Sequence, residues 1–70
     1  MAVKKTMTLN LSEEEMESLE QLVVRSDMTK TAVIKKALRI YLILEKRLQN
    51  GEHIYVEDES HTFKVELLLV

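Results

Sequence analysis

Few side chains in this sequence could do chemistry, and those that could offer hydrogen bonds and charge rather than a nucleophile. Thr6, Thr8 and Asn10 alternate with Met7, Leu9 and Leu11 in the opening stretch KKTMTLNLSEEE, directly after Lys4 and Lys5. A second polar cluster, Thr29, Lys30 and Thr31, lies in MTKTAV. His53 and His61 are the only two histidines, and there is no cysteine. Two imidazoles without a thiolate make a poor first shell, so neither a metal nor another cofactor is expected. No residue pattern pairs a nucleophile with a base, and no Gly-rich phosphate loop is present, so the chain does not read as an enzyme.

The elements that must position these groups are legible from period and caps. Residues 6–11 alternate polar and apolar, the pattern of a strand. Ser12 then stands where a helix N-cap belongs, and Glu15 is spaced to complete a capping box. Glu13, Glu14 and Glu15 suit the positive end of the helix dipole. Met16, Leu19, Leu22 and Val23 give this first helix one apolar stripe, which should fade near Ser26. Asp27 can take the left-handed conformation that a tight helix–helix turn requires.

MTKTAVIKKALRIYLILEKRLQN reads as a second, longer helix, with Thr29 as N-cap and Asn50-Gly51 as its stop. Ile34, Ala37, Leu38, Tyr41, Leu42 and Leu48 make its broad apolar face. Val33, Ile40, Ile43 and Leu44 carry apolar character beyond it. A helix apolar on more than one side must be covered on more than one side, and one short helix with one strand cannot do that. In the last twenty residues the period changes again. Ile54 and Val56 alternate with His53, Tyr55 and Glu57, and Phe63, Val65, Leu67 and Leu69 with Lys64, Glu66 and Leu68, on either side of the polar EDESH. The pattern predicts a β-hairpin whose apolar face packs over Ile40, Ile43 and Leu44.

Seventy residues support one small domain, marginal as a monomer. Without cysteine, disulfides are excluded, and a second copy of the chain is the expected stabiliser. The formal net charge of −2 argues against a nucleic-acid partner, but its distribution reverses that. Residues 1–11 carry Lys4 and Lys5 with no acid, and residues 28–50 carry six basic side chains against Glu45 alone. No apolar run approaches the roughly 18 residues needed to span a bilayer. The opening MAVKKTMTLN lacks the apolar core of a signal peptide, so a cytoplasmic location is expected, without membrane association.

Strand, helix, tight turn and helix, in this order and at these lengths, resemble the ribbon-helix-helix DNA-binding proteins of the MetJ/Arc/CopG superfamily. The likeness covers Lys4 to Leu48. It rests on KTMTLNLS leading into a capping serine and on MTKTAVIKKALRIY, with its Ser/Thr-rich opening and late Tyr. Asp27 departs from the pattern, because that turn often carries Gly. The resemblance implies an α+β fold. Two chains would pair their N-terminal strands into an antiparallel ribbon, and their four helices would share one core, giving an intertwined homodimer. Residues 1–50 would be the DNA-binding and dimerisation domain, and residues 51–70 an added C-terminal β-hairpin.

The same resemblance implies roles. Thr6, Thr8 and Asn10 would face outward and read base edges in the major groove of double-stranded DNA, where Asn can bond adenine in bidentate fashion. Thr29, Lys30 and Thr31 would hold a phosphate at the helix N-terminus. Lys4 and Lys5 would touch flanking phosphates, which position a ribbon without reading sequence. The expected function is a nucleoid-associated transcriptional repressor whose dimers assemble cooperatively on DNA. Read from composition alone, the same alternation is simply a solvated strand face, and Thr29 simply a cap. A second reading is an antitoxin-type protein-interaction module, with HTFKVELLLV binding a partner protein. A third keeps the fold as a scaffold.

Overall fold

The computed structural model describes residues 3–69. The architecture is α+β: helix α1 (Glu13–Ser26), helix α2 (Lys30–Gln49), and strands β1 (Ile54–Glu57) and β2 (Lys64–Leu67). The strands form one two-stranded antiparallel sheet. The chain divides into two compact units, Met1–Ile34 and Lys35–Val70.

In the first unit, α1 starts where its caps dictate. The Ser12 side chain accepts from the Glu15 N–H at 3.1 Å, while the Glu15 carboxylate accepts from the Ser12 N–H at 2.9 Å. Two donors that the helix itself leaves unpaired are thereby satisfied. These bonds, with Ser12 as the partner, hold the Glu15 carboxyl below its ordinary range. At the other end Asp27 adopts φ 53°, ψ 43°, the left-handed conformation that reverses the chain. Both its N–H and that of Met28 turn back onto the Val23 carbonyl. Asp tolerates this conformation because its short polar side chain does, which is why the turn works without Gly. The Thr29 hydroxyl then accepts from the Ala32 N–H at 3.1 Å and its carbonyl from the Val33 N–H at 3.0 Å, opening α2.

In the second unit, α2 ends in a Schellman motif. The Glu52 N–H bonds the Arg47 carbonyl, and the Gly51 N–H bonds that of Leu48. Gly51 sits at φ 80°, with open space where a Cβ would be, so the requirement for Gly there is conformational rather than steric. An Arg47–Glu52 ion pair at 3.1 Å crosses the same corner.

The hairpin that comes next pairs Ile54 with Leu67 and Val56 with Val65, placing those four on one face. Asp58 organises its tip. Its carboxylate accepts from the Phe63 N–H at 2.8 Å, the Ser60 hydroxyl at 2.6 Å and the Thr62 hydroxyl at 2.7 Å. These bonds, those from Ser60 and Thr62 foremost, lower its pKa to about 2. His61 supplies the left-handed residue of the loop at φ 61°.

Two expectations need correction. Residues 3–12 form no strand in this chain, and both strands that do form come after the helices rather than before them. A strand exists only with a ladder partner, and the two-stranded sheet consists of β1 and β2 alone. The hairpin also leaves two of the three off-stripe residues of α2 uncovered: Ile40 and Ile43 remain 47% and 60% exposed, while Leu44 is half-buried. Covering Ile40 would need the hairpin to lie back along more than two helical turns, about 12 Å from Leu48. Instead the hairpin base, at His53, Ile54 and Leu67–Leu69, shares a hollow of about 180 Å³ with Leu48 in the last turn.

Among the described residues only Leu19 and Val33 are buried, each 8% exposed. A chain whose helices are fully capped but whose core is two side chains has its local structure in place and its hydrophobic burial missing. Capping contributes about 1 kcal/mol per end, far less than the conformational entropy of ordering this many residues.

Candidate nucleic-acid interface

The residues expected at a DNA interface all belong to the first unit. Lys4, Lys5, Thr6, Thr8 and Asn10 are exposed along the segment before α1. The apolar partners in the alternation are exposed as well, with Met7 at 77% and Leu9 at 49%, while Leu11 is half-buried. An alternating segment with both faces in water has gained nothing from its pattern. Its apolar half needs a surface to pack on, and its backbone needs a ladder.

At the start of α2, Thr29, Lys30 and Thr31 are likewise exposed. The Thr29 hydroxyl is committed to the Ala32 N–H. The N–H groups of Lys30 and Thr31 belong to the first turn, which has no intrahelical acceptor to offer them. They point out of the positive end of the longest helix, the arrangement that suits an anion. The first turn of α2 contains no acid to compete for that place. Lys30 lies 3.9 Å from Glu20 on α1, with both side chains more than half exposed, a contact too loose and too solvated to immobilise the ammonium. The α1 start is the opposite case: Glu13, Glu14 and Glu15 fill its first turn, so it would repel a phosphate.

The two histidines have partners that the sequence reading did not assign. His53 Nδ1 lies 2.6 Å from Glu66 Oε1, and His61 Nδ1 lies 2.7 Å from Glu57 Oε1. No group of three or more His, Asp or Glu suited to a metal ion occurs among the described residues. The Asp58 cluster was also missed, although an Asp with Ser and Thr two and four places further on is a readable Asx-type turn signal. No helix among the described residues is long and apolar enough to cross a membrane. Comparison of the chain with protein-family models, with curated proteins and with solved structures finds no match.

Proposed function

We infer that this chain is a homodimeric ribbon-helix-helix protein that binds double-stranded DNA and represses transcription inside the cell. One observation carries the reading. A capped helix–turn–helix of the expected lengths is preceded by an alternating segment whose apolar side, Met7 and Leu9, is left in water. A second copy resolves both shortages at once. Its equivalent segment supplies the ladder, and its helices supply the surface that Met7, Leu9 and the apolar faces of α2 lack.

In the resulting antiparallel ribbon Thr6, Thr8 and Asn10 lie on the outer face, which fits the major groove. Lys4 and Lys5 flank it, and Lys30 and Thr31 at the start of α2 take a phosphate through their N–H groups. The reading positions include no Arg, Lys or Gln, so the strong bidentate contact to guanine is missing from the centre of the ribbon. Single dimers therefore bind modestly, and adjacent dimers about 10 bp apart bind cooperatively. Selection of bound sequences from random duplex DNA tests this directly. Enrichment of a short palindrome supports the repressor reading, and enrichment of nothing sinks it.

A further inference from the structure

The sheet formed by β1 and β2 has two free edges, and one of them matches itself. The Asp58 N–H donates to the Phe63 carbonyl at 3.1 Å, so 58 and 63 are a hydrogen-bonded pair. With the register fixed by Ile54–Leu67 and Val56–Val65, the alternation of an antiparallel ladder is then determined. Phe63, Val65 and Leu67 turn their peptide groups toward β1. Lys64 and Glu66 turn theirs outward, into the open edge.

We propose that this edge is a second self-association surface: β2 pairs antiparallel with β2 of another copy, joining two hairpins into a four-stranded sheet. Charge selects the register. Outward-facing peptide groups must oppose one another, so the two-fold axis passes through a residue of β2. An axis at Lys64 or Glu66 sets like charges face to face, which is destabilising. An axis at Leu67 sets Glu66 against Leu68. An axis at Val65 sets Lys64 against the partner's Glu66 twice, with two backbone bonds exchanged at each pair. On the other face it sets Val65 against its mate. That face is the one on which Val56 and Val65 are 50% and 42% exposed, so the joined sheet extends an apolar surface already in place. The edge of β1 lacks this match, because Glu57 is the only formal charge in Ile54–Glu57 and no two-fold register there can set opposite charges against each other.

Four residues of strand make a small interface, strong only between chains already held together. The inference therefore rests on the self-association in the proposed function, and on nothing about DNA. The chain has no cysteine, so a single introduced thiol reports the axis. In the Val65-centred register V65C faces its own mate across a non-hydrogen-bonded pair, with Cα atoms about 4.5 Å apart, inside the disulfide range. V56C, on the same face but two outer strands apart, sits about 14 Å from its mate.

The expected results are disulfide dimer from the V65C chain under mild oxidation and little from V56C. The decisive step mixes two chains, K64E/V65C and E66K/V65C. Each alone puts like charges across the axis, whereas the mixed pair restores opposite charges. The mixed disulfide should exceed its random share. Damage either substitution does within its own hairpin is the same alone or mixed. Equal cross-linking of all combinations overturns the register, and equal cross-linking of V56C overturns the edge. A dimeric mass without V65C cross-linking refutes the hairpin pairing alone. A monomeric mass at every concentration refutes it together with the proposed dimer.

Discussion

Residues 6–11 and the β1–β2 hairpin carry the same sequence pattern, and they have different fates in the chain. Both alternate apolar with polar residues over a strand's length. The hairpin is a closed ladder, while residues 6–11 form none. The difference lies in the residues just C-terminal to each segment. After Glu57 comes Asp58, whose carboxylate gathers Ser60, Thr62 and the Phe63 N–H and turns the chain back on itself. After Leu11 comes Ser12, which caps a helix and takes the chain away. Alternation therefore specifies which side chains share a face, and the next few residues decide whether the partner is in the same chain.

The largest expected effect is on the segment that has no partner. If Leu9 packs in a core shared between two chains, Leu9→Ala should cost about 2–5 kcal/mol of dimer stability. Concentration-dependent unfolding would read it as a lower midpoint at every concentration. Leu9→Ala with unchanged stability would mean that this segment is solvated in the working protein, as it is in the single chain. Next comes the outward face of the same segment. Asn10→Ala should relax sequence preference by about 1–3 kcal/mol for each base edge it no longer reads. Lys4→Ala should weaken binding to every sequence alike and reduce the salt dependence of binding. Binding constants across a set of operator variants, at several salt concentrations, separate the two.

A smaller effect sharpens the contrast from the other side. Ser12→Ala removes the cap that leads the chain into α1, at a cost of about 0.5–2 kcal/mol. It should leave the hairpin amides as protected as before, which amide exchange resolves residue by residue.

The smallest effect is confined to the hairpin tip and appears only in acid. Asp58 has its pKa lowered to about 2 by the bonds from Ser60, Thr62 and Phe63. An unfolded Asp titrates near about 3.9. A depressed carboxylate contributes stability that is full above the unfolded value and lost as pH falls from about 4 toward 2. The tip should therefore loosen over that window. Ser60→Ala or Thr62→Ala should raise the Asp58 pKa toward its ordinary value, as tracked by NMR titration of its carboxyl carbon.

The parts of the fold that were legible in the sequence are those set by contacts within about five residues. Ser12 with Glu15, Asp27 in its left-handed turn, Thr29 and the Asn50-Gly51 stop all appear at the expected positions. The hairpin and the common face of Ile54, Val56, Val65 and Leu67 span a longer range and were legible from period-two alternation on both sides of a polar stretch. The illegible parts depend on geometry beyond that range. The apolar surplus of α2 signals a need for cover, and the part of it at Ile40, Ile43 and Leu44 was expected to lie under the hairpin. Ile40 and Ile43 remain exposed because the Schellman corner at Gly51 places the hairpin base beside Leu48 instead. Of the interface residues, the exposure of Thr6, Thr8, Asn10, Lys30 and Thr31 was readable. The partners they imply, a second copy and double-stranded DNA, were named through the family resemblance, because a single chain's sequence records the need for a second surface without stating its source.

The most direct test of that source is amide hydrogen exchange at residues 6–11, measured while protein concentration is raised. A ribbon completed by a second copy predicts slow exchange at alternate amides of this segment, with protection growing as the dimer forms. Random-coil exchange throughout residues 6–11 at every concentration, from a chain whose mass stays that of a monomer, would contradict it.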